Sequence, residues 1–95
     1  MTEFSGDAAL ISAEIERLEA VQRELRAAEA EFTHRARQIS DGLERLGGID
    51  PYLEGEMRSL NRNLKRNAAE SAETARKLKI LRNQLAGIES QTLAD

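Results

Sequence analysis

A single histidine and several closely spaced carboxylates are the residues of this chain that could do acid–base or metal chemistry. His34 follows Glu31 by three residues, the Glu-x-x-His spacing that places two metal ligands on one helix face, but no second copy completes a site. The closely spaced carboxylates are Glu14 with Glu16, Glu29 with Glu31, and Glu54 with Glu56. On a helix the members of each pair point to different faces, so nothing desolvates a carboxyl group for acid catalysis. We therefore predict a protein that is not an enzyme, with no metal, cofactor or small-molecule substrate.

Composition narrows the remaining classes of function. The 95 residues include no cysteine, which excludes disulfides, thiolate metal sites and cysteine nucleophiles. No apolar run approaches the roughly 20 residues of a membrane-spanning helix, and the acidic start of the chain does not resemble a signal peptide. We expect a cytoplasmic protein without membrane insertion, and export by a leaderless route is compatible with the sequence.

Large apolar residues recur every seven positions and predict two long helices. One series runs from Ile11 to Leu46, and two interleaved series run from Leu53 to Ile88. A sustained seven-residue repeat is typical of helices that pack along one narrow seam. The predicted core and interface positions are Ile11, Ile15, Leu18, Leu25, Phe32, Ile39, Leu43 and Leu46 on the first helix, and Leu53, Met57, Leu60, Leu64, Leu78, Leu81, Leu85 and Ile88 on the second.

The repeat is interrupted once, by Gly47-Gly48-Ile49-Asp50-Pro51. Glycine accepts the left-handed conformation that ends many helices, and Asp followed by Pro is a favourable helix start. We predict one all-α domain over residues 1–95, with helix 7–47, turn 47–51, helix 51–88 and a frayed tail 89–95. Asp7 is the expected cap of the first helix, and Ser5 is the alternative. So short a connection makes the helices antiparallel, as in a helical hairpin.

The middle of the second helix has polar residues where the repeat requires large apolar ones: Asn67, Ser71 and Thr74. Counting back from the turn places this stretch opposite residues 24–31, which are rich in alanine. We expect close helix approach there, with the three polar side chains turned to water. The alternative is that they form a specificity layer, because a buried polar residue can determine the register or the partner of a coiled coil.

One hairpin leaves apolar residues beside its seam without cover. These are Leu10, Val21, Leu43, Ile49, Tyr52 and Ile80. Small domains bury a low fraction of their surface and often need oligomerisation. The sequence therefore predicts a four-helix bundle formed with itself or with a related helical hairpin.

The length, the position of the turn and the lack of cysteine resemble the Trp-Xaa-Gly helical-hairpin proteins of type VII secretion. Where that family has Trp-Xaa-Gly, this turn reads Gly47-Gly48-Ile49-Asp50-Pro51. The family's Tyr-x-x-x-Asp/Glu export motif has its match at Tyr52–Glu56, at the start of the second helix rather than after it. The resemblance implies hairpins that dimerise into four-helix bundles, and it implies no functional residues.

The expected function is that of a non-enzymatic helical-hairpin subunit for protein–protein interaction. A small partner or substrate protein of type VII secretion would be one such subunit. The alternative is a module that binds nucleic acid or another polyanion. The first 50 residues carry 11 acidic and 6 basic residues, whereas residues 51–95 carry 6 and 8. The overall acidity and the lack of interleaved aromatic residues make nucleic acid the less expected ligand. The basic side chains of the second helix are Arg58, Arg62, Lys65, Arg66, Arg76, Lys77, Lys79 and Arg82.

Overall fold

The computed structural model describes the backbone of residues 2–94 and the side chains of residues 6–91. Two α-helices, α1 (Thr2–Arg45) and α2 (Pro51–Ala94), account for all of the described backbone except the short connection between them. The described residues contain no β-strand, so the predicted all-α class is confirmed.

Both helices extend beyond their predicted outer ends. α1 begins at Thr2 rather than at Asp7, and α2 continues to Ala94 instead of ending at Ile88. Asp7 therefore lies within α1 and does not cap it. Neither extension contains proline, and Gly6 costs a helix only about 1 kcal/mol relative to alanine, so no residue there is strong enough to stop the helix. Asp95, the last residue of the predicted tail, lies outside the described residues.

The chain divides into two compact units, and both contain a segment of each helix. The turn unit comprises Glu24–Ser71 and includes the connection between the helices. The terminal unit comprises the described residues of 1–23 and 72–95.

The turn unit is a helical hairpin whose helix segments are antiparallel, as predicted. Leu25, Ile39 and Leu60 are its buried apolar side chains. The Nδ2 atom of Asn67 lies 3.0 Å from the carbonyl oxygen of Leu25. Counting back from the turn pairs Asn67 with residue 31 instead, so the predicted register is wrong by about six residues at this point.

The terminal unit is built on a small apolar cluster. Ile15 and Leu18 of α1 pack with Leu78 of α2, and the surrounding half-buried side chains are Ile11, Leu81 and Leu85. Leu78 has no solvent-exposed surface, which makes it the most deeply buried side chain of this unit.

The connection ends one helix and begins the next by local hydrogen bonds. The N–H of Gly48 donates to the carbonyl of Leu43 at 2.6 Å and the N–H of Gly47 donates to that of Glu44 at 3.3 Å, the two bonds of a Schellman motif. The glycines have φ angles of 81° and 87°, which other residues rarely adopt. α1 consequently ends at Arg45, two residues before the predicted boundary.

The start of α2 is capped by Asp50. Its Oδ1 accepts a hydrogen bond from the N–H of Leu53 at 3.1 Å, and its carbonyl accepts the first helical bond, from Glu54, at 2.9 Å. Pro51 occupies the first helical position, where its missing N–H would have had no partner. The helix stop and start predicted from Gly47 to Pro51 are thus confirmed.

Replacing Gly47 by alanine is expected to destabilise the protein by about 1–2 kcal/mol, because an L-residue is strained at positive φ. Gly55→Ala is the matched control. Gly55 lies within α2, and an added Cβ would meet only Nη2 of Arg58 at 3.8 Å. That control should gain roughly 0.5–1 kcal/mol from helix propensity. Urea denaturation of both variants measures the two effects, and equal shifts would contradict the left-handed turn.

Candidate interaction surface

The seam positions of α2 are separated by four and three residues in alternation, a 4–3 spacing that continues without interruption. Large apolar residues occupy it at both ends, and three polar residues occupy its middle. The positions are Leu53, Met57, Leu60, Leu64, Asn67, Ser71, Thr74, Leu78, Leu81, Leu85 and Ile88. Every one is at least half-buried, which is the pattern that a helix facing its partner along one stripe produces.

Much of the apolar seam is only half-buried within each unit. Of the predicted core positions, six are buried: Ile15, Leu18, Leu25, Ile39, Leu60 and Leu78. Nine more are half-buried: Ile11, Phe32, Leu43, Leu53, Met57, Leu64, Leu81, Leu85 and Ile88. One helix can cover only one side of another, so these side chains keep an edge towards solvent.

Leu46 departs from the predicted seam. It stands seven residues after Ile39 but is 59% exposed. The seven-residue spacing keeps residues on one face only while the backbone stays helical, and α1 has already ended at Arg45. Leu46 therefore belongs to the surface of the turn and not to the core.

Three exposed apolar side chains lie within seven residues at the connection. Leu46, Ile49 and Tyr52, which we call the turn patch, are 59%, 78% and 75% exposed. Leu43 precedes the connection and Leu53 follows it, and both are half-buried. Exposed apolar groups this closely spaced are typical of a surface that a partner covers.

The terminal unit has apolar surface of its own. Leu10 is 72% exposed and Ile80 is also exposed. A shallow groove of about 600 Å³ lies between the helix segments, and its lining residues are Asp7, Leu10, Ile11, Gln84, Gly87, Ile88 and Gln91. The groove is wide open and contains no cluster of titratable groups, so its geometry suits a contacting surface better than an enclosed small molecule.

The polar middle of α2 differs from the expectation. Asn67 and Thr74 are buried, each 7% exposed, and Ser71 is half-buried, whereas Ala68, Ala72 and Ala75 are exposed. The expectation that the polar residues turn to water is therefore wrong for Asn67 and Thr74. The 4–3 spacing decides the matter, because it places these residues, and not the alanines, on the seam.

The side-chain amide of the buried Asn67 forms a hydrogen bond to the backbone of α1. Its Nδ2 donates to the carbonyl of Leu25, itself a buried residue. No buried side-chain nitrogen or oxygen among the described residues lacks a hydrogen-bond partner. The turn unit therefore contains a satisfied polar contact within its seam, the arrangement that can specify register in coiled coils.

Ion pairs join the helices within each unit. In the turn unit, Nη2 of Arg35 lies 2.8 Å from both carboxylate oxygens of Glu56, and this bond raises the pKa of Arg35. In the terminal unit, Arg82 and Glu19 are 3.3 Å apart. Exposed pairs of this kind contribute about 0–1 kcal/mol each, so they orient the helices more than they stabilise them.

The pairing of Arg35 with Glu56 is not predicted by the sequence. The favourable four-residue spacing within a helix indicates Glu31 as the partner of Arg35. Arg35 lies ten residues before the end of α1 and Glu56 only five after the start of α2, so equal counting outward from the turn does not bring the two together. Within single helices the observed pairs are Arg17 with Glu14 and Arg76 with Glu73, and the hydrogen bonds lower the pKa of both carboxyl groups.

The candidate chemical residues do not converge. His34 is exposed, and its Nε2 lies 3.3 Å from Nε2 of Gln38. No group of three possible metal ligands is found among the described residues. Within the same part of the chain, neither helix has an apolar stretch able to cross a membrane.

Comparison of the chain with protein-family models, with curated proteins and with solved structures yields no match.

Proposed function

We propose that this protein is a non-enzymatic interaction subunit whose hairpin packs against a second hairpin to form a four-helix bundle. The observation that carries the proposal is the incomplete cover of the seam. In the turn unit, Phe32, Met57 and Leu64 keep exposed edges although they lie at seam positions. A second pair of helices is the simplest structure that covers such edges with matching geometry.

The energetics favour association. Burial of one leucine or isoleucine contributes about 1.5–3 kcal/mol, so a few additional side chains per chain suffice for a stable dimer. Long helices of this kind derive their stability mainly from packing and less from intrinsic propensity. A second hairpin would thus stabilise the fold at the same time as it creates the complex.

The partner that we propose is a second copy of this chain. A two-fold dimer uses the same surface on both subunits, so an apolar surface that forms the interface on one copy meets the same apolar surface on the other. The turn patch fits this role because its three apolar side chains are 59%, 78% and 75% exposed within the hairpin. A related hairpin with the same apolar spacing is the alternative occupant.

The resemblance to the hairpin proteins of type VII secretion suggests where such a complex could act. A compact helical bundle without disulfides is compatible with synthesis in the cytoplasm and with export by a leaderless machine. We propose a secretion-associated partner or substrate as the biological setting. Export of the tagged chain from a host with an intact type VII system, and not from one lacking that system, would support this setting.

The turn patch gives a direct test of the interaction. The double variant Ile49→Ser with Tyr52→Ser should raise the dissociation constant of the dimer at least tenfold, since about 1.4 kcal/mol corresponds to each factor of ten. Sedimentation equilibrium over a range of concentrations measures the change.

The matched control places serine at two exposed alanines, Ala30→Ser with Ala69→Ser. It should leave the dissociation constant within about twofold of the wild type. If the turn-patch variant also associates like the wild type, the patch has no part in the interface.

A further inference from the structure

The centre of the outer face of α2 in the turn unit carries an unbroken basic surface. Arg58, Arg62, Lys65 and Arg66 lie within residues 57–69, a stretch that contains no aspartate or glutamate. All four side chains are exposed, and we call them the basic stripe. The chain as a whole has a net charge of −3, so this concentration of positive charge is local.

Helix geometry places the basic stripe opposite the seam. At about 100° per residue, the four positions fall within an arc of roughly 100°, centred on the far side of the helix from the buried Leu60 and Asn67. At 1.5 Å per residue, Arg58 and Arg66 are about 12 Å apart along the axis. The basic stripe is therefore a straight row of cations that packing within the turn unit leaves accessible.

The basic stripe has no partner of its own among the described residues. None of its four side chains forms an ion pair or a side-chain hydrogen bond there, whereas Arg35 in the same unit binds Glu56. Two carboxylates flank the stripe at the four-residue helical spacing, Glu54 before Arg58 and Glu70 after Arg66, and neither forms an ion pair with it. Both oxygens of Glu56, the acidic residue immediately before the acid-free stretch, are engaged by Arg35.

The surroundings of the basic stripe restrict the class of ligand. The exposed neighbours on this stretch are small or polar, as at Ser59, Asn61 and Ala69. Protein interfaces depend on aromatic or aliphatic anchors, and membrane-surface helices depend on an apolar face, and neither is present here. A ligand held by charge alone, without apolar contact, is therefore indicated.

Phosphate groups in a regular row meet that description. The planar guanidinium groups of three of the four cations can each donate two hydrogen bonds to a phosphate. The stretch has no aromatic side chain on which unpaired bases could stack, which favours a duplex over a single strand. We infer that the basic stripe binds the phosphate backbone of a nucleic-acid duplex without reading its sequence.

The acidity of the whole chain does not prevent this binding at physiological salt. Charges are screened over a Debye length of about 8 Å at 0.15 M ionic strength, which is shorter than the stripe itself. Carboxylates farther away than this contribute little to the potential at the stripe. The inference is independent of the proposed dimer, because it uses the face of α2 that lies opposite the seam.

Fluorescence anisotropy with labelled 20-base-pair DNA and RNA duplexes tests the inference on the full chain. The affinity for at least one of them should fall by roughly 100-fold between 50 and 200 mM NaCl, as expected for about four phosphate contacts. The triple variant Arg58→Gln, Arg62→Gln and Arg66→Gln should bind at least tenfold more weakly at 50 mM NaCl. Glutamine retains helix propensity, and circular dichroism verifies the fold of the variant.

The matched control is Arg23→Gln, Arg26→Gln and Arg37→Gln, which removes the same charge from exposed positions of α1. It should retain wild-type affinity within about threefold. If both variants bind the duplex more weakly to the same extent, net charge alone explains the loss of affinity, and the inference is overturned. Absence of duplex binding by the wild-type chain at 50 mM NaCl would also overturn it, as would binding only to vesicles containing phosphatidylserine.

Discussion

Replacing Leu78 by alanine is expected to lower the free energy of unfolding by about 2–5 kcal/mol. Leu78 has no exposed surface and packs with Ile15 and Leu18 in the core of the terminal unit. The substitution removes the transfer free energy of the leucine side chain and leaves a cavity that neighbouring side chains can fill only in part. Urea denaturation at a fixed protein concentration measures the effect, because association adds to the apparent stability.

Leu10→Ala is the matched control for this experiment, since it makes the same chemical change in the same unit at a side chain that is 72% exposed. Within a folded hairpin it should cost less than about 0.5 kcal/mol. Similar losses from both substitutions would mean that Leu78 is not the centre of a packed core.

The double variant Asn67→Leu with Thr74→Ile is expected to melt at a higher temperature than the wild type. Both side chains are buried at seam positions, so apolar replacements add burial worth about 1.5–3 kcal/mol each. The variant loses the hydrogen bond from Asn67 to Leu25, whose net contribution is about 0.5–1.5 kcal/mol. The balance is a gain, and each kcal/mol corresponds to roughly 4–8 °C in a domain of this size.

The same variant tests whether the polar residues at seam positions determine the oligomeric state. Buried polar residues lower stability but exclude registers and oligomers in which they would lack partners. We expect light scattering to show that the variant no longer has a single oligomeric state. Ala69→Leu, an exposed position on the opposite face, is the control and should change neither property. A variant that melts lower and keeps one oligomeric state would contradict the specificity role.

The helices and the turn could be predicted because their signals are local. The seven-residue spacing identifies a helix face without knowledge of the partner, and Gly47 to Pro51 contain the residue types that end and restart a helix. The outer helix ends are harder to predict. Residues 2–6 and 89–94 have neither strong stop signals nor a continued apolar pattern, so propensity and context decide together.

Residue type is a misleading guide to burial in the middle of α2. Asn67 and Thr74 are polar, which favours exposure, but their positions in the 4–3 spacing place them on the buried face of the helix. Spacing was the better guide, because helix geometry orients a side chain whatever its chemistry. The available hydrogen-bond acceptor, the carbonyl of Leu25, belongs to the opposite helix and could not be identified before the register was known.

Leu46 shows the opposite error. Its spacing agreed with the seam, but the Schellman motif ends α1 one residue earlier and changes the direction of the chain. A periodic pattern should therefore be followed only as far as the last helical residue. The surface left by this change, the turn patch, became part of the proposed interface.

Sedimentation equilibrium of the wild-type chain at micromolar concentration tests the proposed association most directly. We predict a particle of twice the 10.6 kDa chain mass, with a reversible dependence on concentration. Its association should be insensitive to salt, because apolar burial rather than ion pairing holds the bundle together. A well-folded monomer at these concentrations, with no binding of a dye that reports apolar surface, would contradict the account.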